Sequence, residues 1–297
     1  MKKLIAIICG GRSAEHEVSL QSAKSVIEAM DREKFNLMII GITKHGEWQI
    51  FPENDYLQNH ADPAKIALST AGKVVAIVPG TAKNKLFNLE TNQFLPSPQA
   101  VFSILHGPYG EDGTMQGLLK LMDLPFVGPS VLGSAVSMDK DLMKKLMTLA
   151  QIPNADFFTF INGSENPDFK AVEQKLGLPV FIKPANMGSS VGVNKARNRD
   201  EFEKYLQLAY RFDHKVIVEK YIKGREIECA VLGNENPKAS VPGEIVAHHD
   251  FYSYDAKYID EKGASLLIPA EMDETSRKKV QEMAIKTFQA LNCEGLG

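Results

Sequence analysis

Residues 4–9 are six consecutive apolar side chains, and the run stops at Gly10-Gly11. A run this short and unbroken reads as a strand buried on both faces, the habit of a parallel sheet covered by helices. Ala23, Val26, Ile27 and Met30 then recur at i, i+3, i+4 and i+7, one face of a helix. Further apolar runs, LMIIGI at 37–42 and VFSIL at 101–105, continue a strand–helix–strand opening. The prediction is an α/β fold that begins with a parallel domain. Residues 43–98, rich in Asn, Pro, Thr and Lys, are expected to supply strand pieces, turns and a long surface excursion.

The run at 4–9 follows Lys2-Lys3 and briefly imitates an export signal, but it is too short for one. No apolar stretch approaches the roughly 18 residues of a membrane span. With 34 Lys and Arg against 37 Asp and Glu, the net charge of −3 gives no general attraction to nucleic acid or an anionic membrane. Any site for a polyanion must therefore be a local gathering of lysines. Cys9, Cys229 and Cys293 are too far apart for a C-x-x-C pair, and their odd number excludes a complete disulfide framework. A cytoplasmic protein is expected.

At about 150 residues per domain, 297 residues imply two or three domains. Helices are predicted at 114–123 and at 138–150, the latter with an apolar stripe of Leu142, Met143, Leu146, Leu149 and Ala150, and Pro153 ends it. A first boundary falls near 139. Beyond it the sequence predicts strands at 156–161, 179–183, 190–195 and 215–222, with helices at 168–176 and around Phe202, Tyr205, Leu206 and Ala209. A third part begins near 227, with strands at 226–232, 243–248 and 265–269 and a helix at 274–291. Gly295-Leu296-Gly297 looks like the turn into another strand, yet none follows, so the expectation is either a longer parent chain or an unusual partner for the apolar face of the last helix.

Four segments carry candidate chemistry. In GGRSAEHEVS (10–19) the glycines permit close backbone approach, and Glu15 falls at the carboxyl edge of a parallel sheet, where such folds bind ligands. A carboxylate there suits a cationic amine, although helix capping by Ser13 explains the same turn. In LHGPYGEDG (105–113) a strand breaks at His106, which can equally be a satisfied core histidine. The pair His248-His249 points to opposite strand faces and cannot chelate one ion. KPANMGSSVG (183–192) joins two strands through small residues whose N–H groups can cradle phosphate, with Lys183 at its entrance. Neither a G-x-G-x-x-G nor a Walker A loop is present. Lys140 and Lys257 are the further cations for such a site, and VIVEKYIKGREIE (216–228) offers an edge and carboxylates for a nucleoside.

GGRSAEHEVSLQSA, LHGPYGEDGTMQG, SMDKD, GLPVFIKPANMGSSVGV, VIVEKYIKGREIECAVLG and DFYSYDAKY, in this order, closely resemble the ATP-grasp ligases, and within them the D-alanine–D-alanine ligase family. The likeness covers essentially the whole chain. It implies an N-terminal substrate-binding α/β domain (1–139), a central ATP-grasp part (140–226) and the start of a C-terminal catalytic part (227–297).

It also implies roles. Lys140 and Lys183 hold the ATP phosphates, with the N–H groups of Ser189 and Ser190 closing over them. Glu219, Lys220 and Ile222 line the adenine pocket, and Glu226 takes the ribose. Lys257, on a mobile lid, reaches the γ-phosphate. Glu15 fixes the ammonium of the first D-alanine and is linked through Ser189 to Tyr258, with His106 beside the substrates. A magnesium or manganese ion is implied, but the family's metal-binding strands lie beyond residue 297, so no metal ligand is named here and the chain alone is expected to lack parts of the catalytic machinery. A homodimer is implied. The alternatives are a D-alanine–D-lactate ligase, against which Tyr258 after Lys257 resembles the dipeptide-forming arrangement, and a non-catalytic ATP-binding protein.

Overall fold

The computed structural model describes residues 2–63, 65–80, 83–247 and 263–297. The chain divides into two units, Met1–Ser134 and Ala135–Gly297.

In the first unit the apolar run becomes strand β1 (Lys3–Gly10), followed by helix α1 (His16–Ala29) and β2 (Phe35–Ile42). The rest comprises β3 (Trp48–Phe51), a small hairpin of β4 (Leu57–Gln58) and β5 (Ala67–Leu68), then β6 (Lys73–Ile77), β7 (Leu86–Asn88), β8 (Gln93–Phe94), β9 (Ala100–Ser103), α2 (Thr114–Leu121) and β10 (Phe126–Val127). Eight strands form one sheet in the order β10-β9-β1-β2-β3-β6-β7-β8. The half containing β1, β2, β9 and β10 is parallel, as the sequence predicts. The other half is antiparallel, so the sheet is mixed.

That half supplies the strand pieces expected over 43–98 and corrects the expected long surface excursion. Phe51, Val75 and Leu86 are core residues, and strands this short are too brief for a period-two pattern to stand out. Successive side chains of β1 serve opposite faces. Ala6 and Ile8 pack in one cluster with Met115, Leu119 and Met122 around α2. Ile7 and Cys9 pack in another with Leu20, Ala23 and Ile27 of α1.

The helix predicted at 138–150 is present from residue 140, with a separate helix before it. Helix α3 (Val131–Met138) ends before Asp139, and α4 (Lys140–Leu149) starts after it. Asp139 is in extended conformation, and its side chain caps α4 by accepting from the N–H groups of Asp141 and Leu142. The expected apolar stripe is also corrected: Leu149 is 81% exposed, and the buried positions of α4 are Asp141 and Lys144.

The explanation lies in the sheet beneath. Strands β11 (Phe157–Ile161), β12 (Val180–Pro184), β13 (Asn194–Ala196) and β14 (Lys215–Lys220) form an antiparallel sheet in the order β11-β14-β12-β13. One face is apolar: Phe160, Val180, Ile182, Val216 and Val218 pack with Val172 and Leu176 of α5 (Phe169–Leu176) and Phe202 and Ala209 of α6 (Arg199–Ala209). The alternate residues, Thr159, Lys183, Lys215 and Glu219, form a charged face, and α4 meets it with polar groups of its own.

Three further expectations change. The strand predicted from 190 begins at 194, because Ser190 and Gly192 have positive φ. The single strand at 226–232 is two, β15 (Glu226–Glu228) and β16 (Val231–Gly233), each in a different three-stranded sheet. They are completed by β17 (Lys238–Ala239), β18 (Gly243–Ala247) and β19 (Ala264–Leu267). A strand does follow the last helix: after α7 (Glu274–Ala290), β20 (Gly295–Leu296) pairs antiparallel with β16.

Candidate active site

In the first unit, β1 leads into a turn that only glycines tolerate. Gly10 and Gly11 have φ of +87° and +96°, and a Cβ on Gly10 would overlap the Ile42 carbonyl oxygen. Ser19 ties this turn to the neighbouring strand end, accepting from the Gly10 N–H at 2.8 Å and donating to the Ile104 carbonyl at 2.6 Å. His16 closes it by donating from Nδ1 to the Gly11 carbonyl at 2.7 Å. The turn delivers Glu15 to the first residue before α1, where it is 2% exposed. The Ser13 hydroxyl accepts from the Glu15 N–H at 3.1 Å.

His106 follows β9 and meets the Ser22 hydroxyl through Nε2 at 3.2 Å. Gly107 has φ of +68°, and a Cβ there would overlap Glu15 Oε2. The Gly107 N–H also donates to Glu111 Oε2 at 2.7 Å. Two carboxylates thus converge on one glycine. Burial raises the Glu111 carboxyl above its ordinary range; the Gly107 N–H and His106 oppose this, and the Glu15 charge adds to it. The sequence reading missed Glu111; its signal was a carboxylate five residues after His106 in a loop of three glycines. Two buried carboxylates beside a histidine can attract a primary ammonium.

In the second unit, Lys140 is the first residue of α4, and its Nζ donates to the carbonyls of Met187 and Ala185, the latter at 3.4 Å. Its own N–H also donates to the Ala185 carbonyl, at 3.1 Å. Burial, with help from the Lys183 charge, lowers Lys140 to about 8. Lys183 pairs with Glu219 across β12 and β14 and stands 5.5 Å from the centre of the Phe181 ring. Lys144 pairs with the other Glu219 oxygen at 3.2 Å. Burial alone would raise the Glu219 carboxyl, but Lys183 and Lys144 outweigh it and hold it below its ordinary range.

Asp139 pairs with Lys215, and Asp141 accepts from Thr159 at 2.5 Å and Lys145 at 2.8 Å. Four lysines, at 144, 145, 183 and 215, thus pair with three carboxylates, at 139, 141 and 219, while Lys140 is held by backbone carbonyls. Lys144, Lys215, Asp139 and Asp141 were not foreseen as site residues. The legible signal was Lys144 one turn beyond Lys140.

Between β12 and β13 runs the loop 185–193. Asp213 anchors its start by accepting from the N–H and the side-chain amide of Asn186, both at 2.8 Å. Ser189 and Ser190 are left-handed, with φ of +47° and +61°. At Gly192, φ +71°, a Cβ would lie 2.8 Å from both Phe212 and Pro184. These left-handed residues fold the loop into tight turns, in which the Val191 and Val193 N–H groups donate to the Gly188 and Ser190 carbonyls at 3.0 and 3.2 Å.

Glu219 lies in the lysine cluster, while Lys220, Ile222 and Glu226 follow along the chain as exposed residues, Glu226 on β15. Arg225 beside Glu226 is fixed by a bidentate bond to Glu244 and a 2.7 Å bond to the Glu271 carbonyl. Lys257, Tyr258, His248 and His249 lie outside the described residues. Among the described residues no group of three or more His, Cys, Asp or Glu side chains is arranged to hold a metal ion, so the expected divalent cation finds no ligand set there. No helix among them is long and apolar enough to cross a membrane.

Residues 4–129 match the family model for the D-ala D-ala ligase N-terminus, and residues 146–297 that for the C-terminus. A D-alanine–D-alanine ligase of Oceanobacillus iheyensis is 49% identical over 297 residues, covering 100% of this chain and 81% of that relative. D-alanine–D-alanine ligase A of Escherichia coli K12 is 49% identical over 298 residues, covering 100% and 82%. Among solved structures, the VanG D-Ala:D-Ser ligase from Enterococcus faecalis aligns with a TM-score of 0.83 at 35% identity, covering 100% of this chain and 84% of that one. The D-alanine–D-alanine ligase from Coxiella burnetii gives 0.84 at 34% identity, covering 99% and 79%. Fold and lysine-lined loop together define a ligase of the ATP-grasp class. Within that class, the chain belongs to the D-alanine–D-alanine ligase family.

Proposed function

We propose that this chain joins two D-alanines at the expense of ATP, making D-alanyl-D-alanine for peptidoglycan. The observation that carries the reading is the gathering of Lys140 and Lys183 at the left-handed loop 185–193. ATP carries nearly four negative charges, and on a chain of net charge −3 only such a cluster can receive them.

In this reading Lys140 and Lys183 bind the phosphates, and the N–H groups of Ser189 and Ser190 cradle them. Glu219, Lys220 and Ile222 border the adenine, and Glu226 accepts the ribose hydroxyls. Glu15 receives the ammonium of the first D-alanine beside His106, Tyr258 joins Glu15 and Ser189 in positioning it, and Lys257 supports the γ-phosphate. The carboxylate of the first D-alanine attacks the γ-phosphorus, giving D-alanyl phosphate and ADP. The free amine of the second D-alanine then attacks the acyl carbon and expels phosphate. The residues contribute charge neutralisation and alignment, with no covalent nucleophile of their own. A magnesium or manganese ion supplies further charge neutralisation when bound. The three-part division at 139 and 226, a homodimer and a cytoplasmic location belong to the same proposal.

The D-Ala:D-Ser ligase among the similar structures sets the competing product. Chromatography of products formed from D-alanine alone, and from D-alanine with D-serine or D-lactate, is expected to give mainly D-alanyl-D-alanine, with ADP released only when D-alanine is present. A predominant D-alanyl-D-serine or D-alanyl-D-lactate product contradicts the assigned second substrate. ATP binding without D-alanine-dependent ADP release contradicts the enzymatic reading.

A further inference from the structure

We propose that Lys144 is a positioning residue for the nucleotide phosphates: it holds Glu219 in place so that Lys183 can move from Glu219 to a phosphate. The inference rests on the ATP-binding reading above.

Glu219 lies on β14, flanked by Phe157 of β11 and Phe181 of β12 in the sheet register. Its carboxylate uses one oxygen for each cation, Oε1 for Lys183 and Oε2 for Lys144. The side chains of Glu219 and Lys144 are 15% and 7% exposed. If Lys183 were the sole partner, its departure would leave a carboxylate uncompensated in a poorly hydrated place, and Lys183 would be retained. With Lys144 fixed on the second oxygen, one contact remains when Lys183 leaves.

The two lysines are not interchangeable. Lys183 is 25% exposed and directly precedes Pro184 and the loop 185–193. Lys144 is enclosed, with its ammonium 5.1 Å from the centre of the Phe157 ring. Nor does the nearby Asp141 draw Lys144 away, because Lys145, Lys215 and Thr159 already face that carboxylate.

Calorimetric titration with ATP, and with adenosine as the phosphate-free probe, tests this in the wild type, Lys144→Met, Lys144→Arg, Glu219→Gln and the Lys144→Met/Glu219→Gln pair. Lys144→Met keeps the length and apolar stem. It is expected to weaken ATP binding at least about tenfold, leave adenosine within about twofold, and leave the D-alanine KM unchanged. Lys144→Arg should return most of the loss. In the Glu219→Gln background no carboxylate holds Lys183, so adding Lys144→Met should change ATP affinity by less than about twofold. Wild-type ATP affinity in Lys144→Met, equal losses for ATP and adenosine, or full additivity of the pair would each overturn the inference. If the wild type itself does not prefer ATP to adenosine, the ATP-site reading fails and this inference falls with it.

Discussion

Burial, reinforced by the Lys183 charge, draws Lys140 from its ordinary 10.5 to about 8, and this has two consequences of definite sign. Below about 8 the ammonium is charged in both folded and unfolded chains, and the folded chain bears the full burial penalty. Between about 8 and 10.5 the unfolded chain binds more protons, so this residue makes stability rise with pH across that window. Bound phosphate favours the charged form, so nucleotide binding is predicted to take up as much as one proton at pH 9 and to weaken as pH rises past 8. Calorimetry in two buffers of different ionisation enthalpy measures the uptake, and Lys140→Met should abolish it. In the first unit, Gly107→Ala would put a methyl group onto Glu15 Oε2 in a left-handed backbone. The expected result is a D-alanine KM raised by about tenfold or more with ATP affinity unchanged, because the added methyl would displace the Glu15 carboxylate. An unchanged KM would remove Glu15 from the amine pocket.

At the level of elements, the sheet β11-β14-β12-β13 divides stability from chemistry by strand alternation. Phe160→Ala on the apolar face is predicted to cost about 3–5 kcal/mol in a denaturant titration. On the charged face, Asp139 both caps α4 and faces Lys215. Asp139→Asn keeps a capping oxygen and removes the charge, whereas Asp139→Ala removes both and should cost about 1 kcal/mol more. Equal stabilities of these two variants would show that the cap contributes nothing.

Much of this layer was legible in the sequence. KVIVEK at 215–220 displays the alternation directly, and the β1 run with the Ala23-Val26-Ile27 spacing gives the first strand and helix. Helix α4 itself was legible, but its buried face was not, because Leu142 and Leu149 satisfy helical periodicity while the buried positions are Asp141 and Lys144. Periodicity reports apolar residues and is blind to a face buried through ion pairs. Over 48–94 strand pieces were expected but could not be placed, because each spans only two to five residues.

Over the whole molecule, the pairing of β16 with β20 joins residues 232 and 296, a partnership that no local pattern encodes. The split of 226–232 between two sheets has the same origin, since strand partners are selected by distant segments. The candidate residues stood out as separate small signals, and their order along the chain carried the family resemblance. Their partners did not stand out: Glu111 at Gly107, and Lys144 at Glu219, are joined by tertiary contacts. In the proposed reaction this chain activates one D-alanine as an acyl phosphate. Its most direct measurement is the mass of the inorganic phosphate released when D-alanine labelled with heavy oxygen in its carboxylate is turned over with ATP. One heavy oxygen atom per phosphate is predicted, because the carboxylate oxygen that attacks phosphorus leaves with it; unlabelled phosphate alongside newly formed dipeptide would contradict the account.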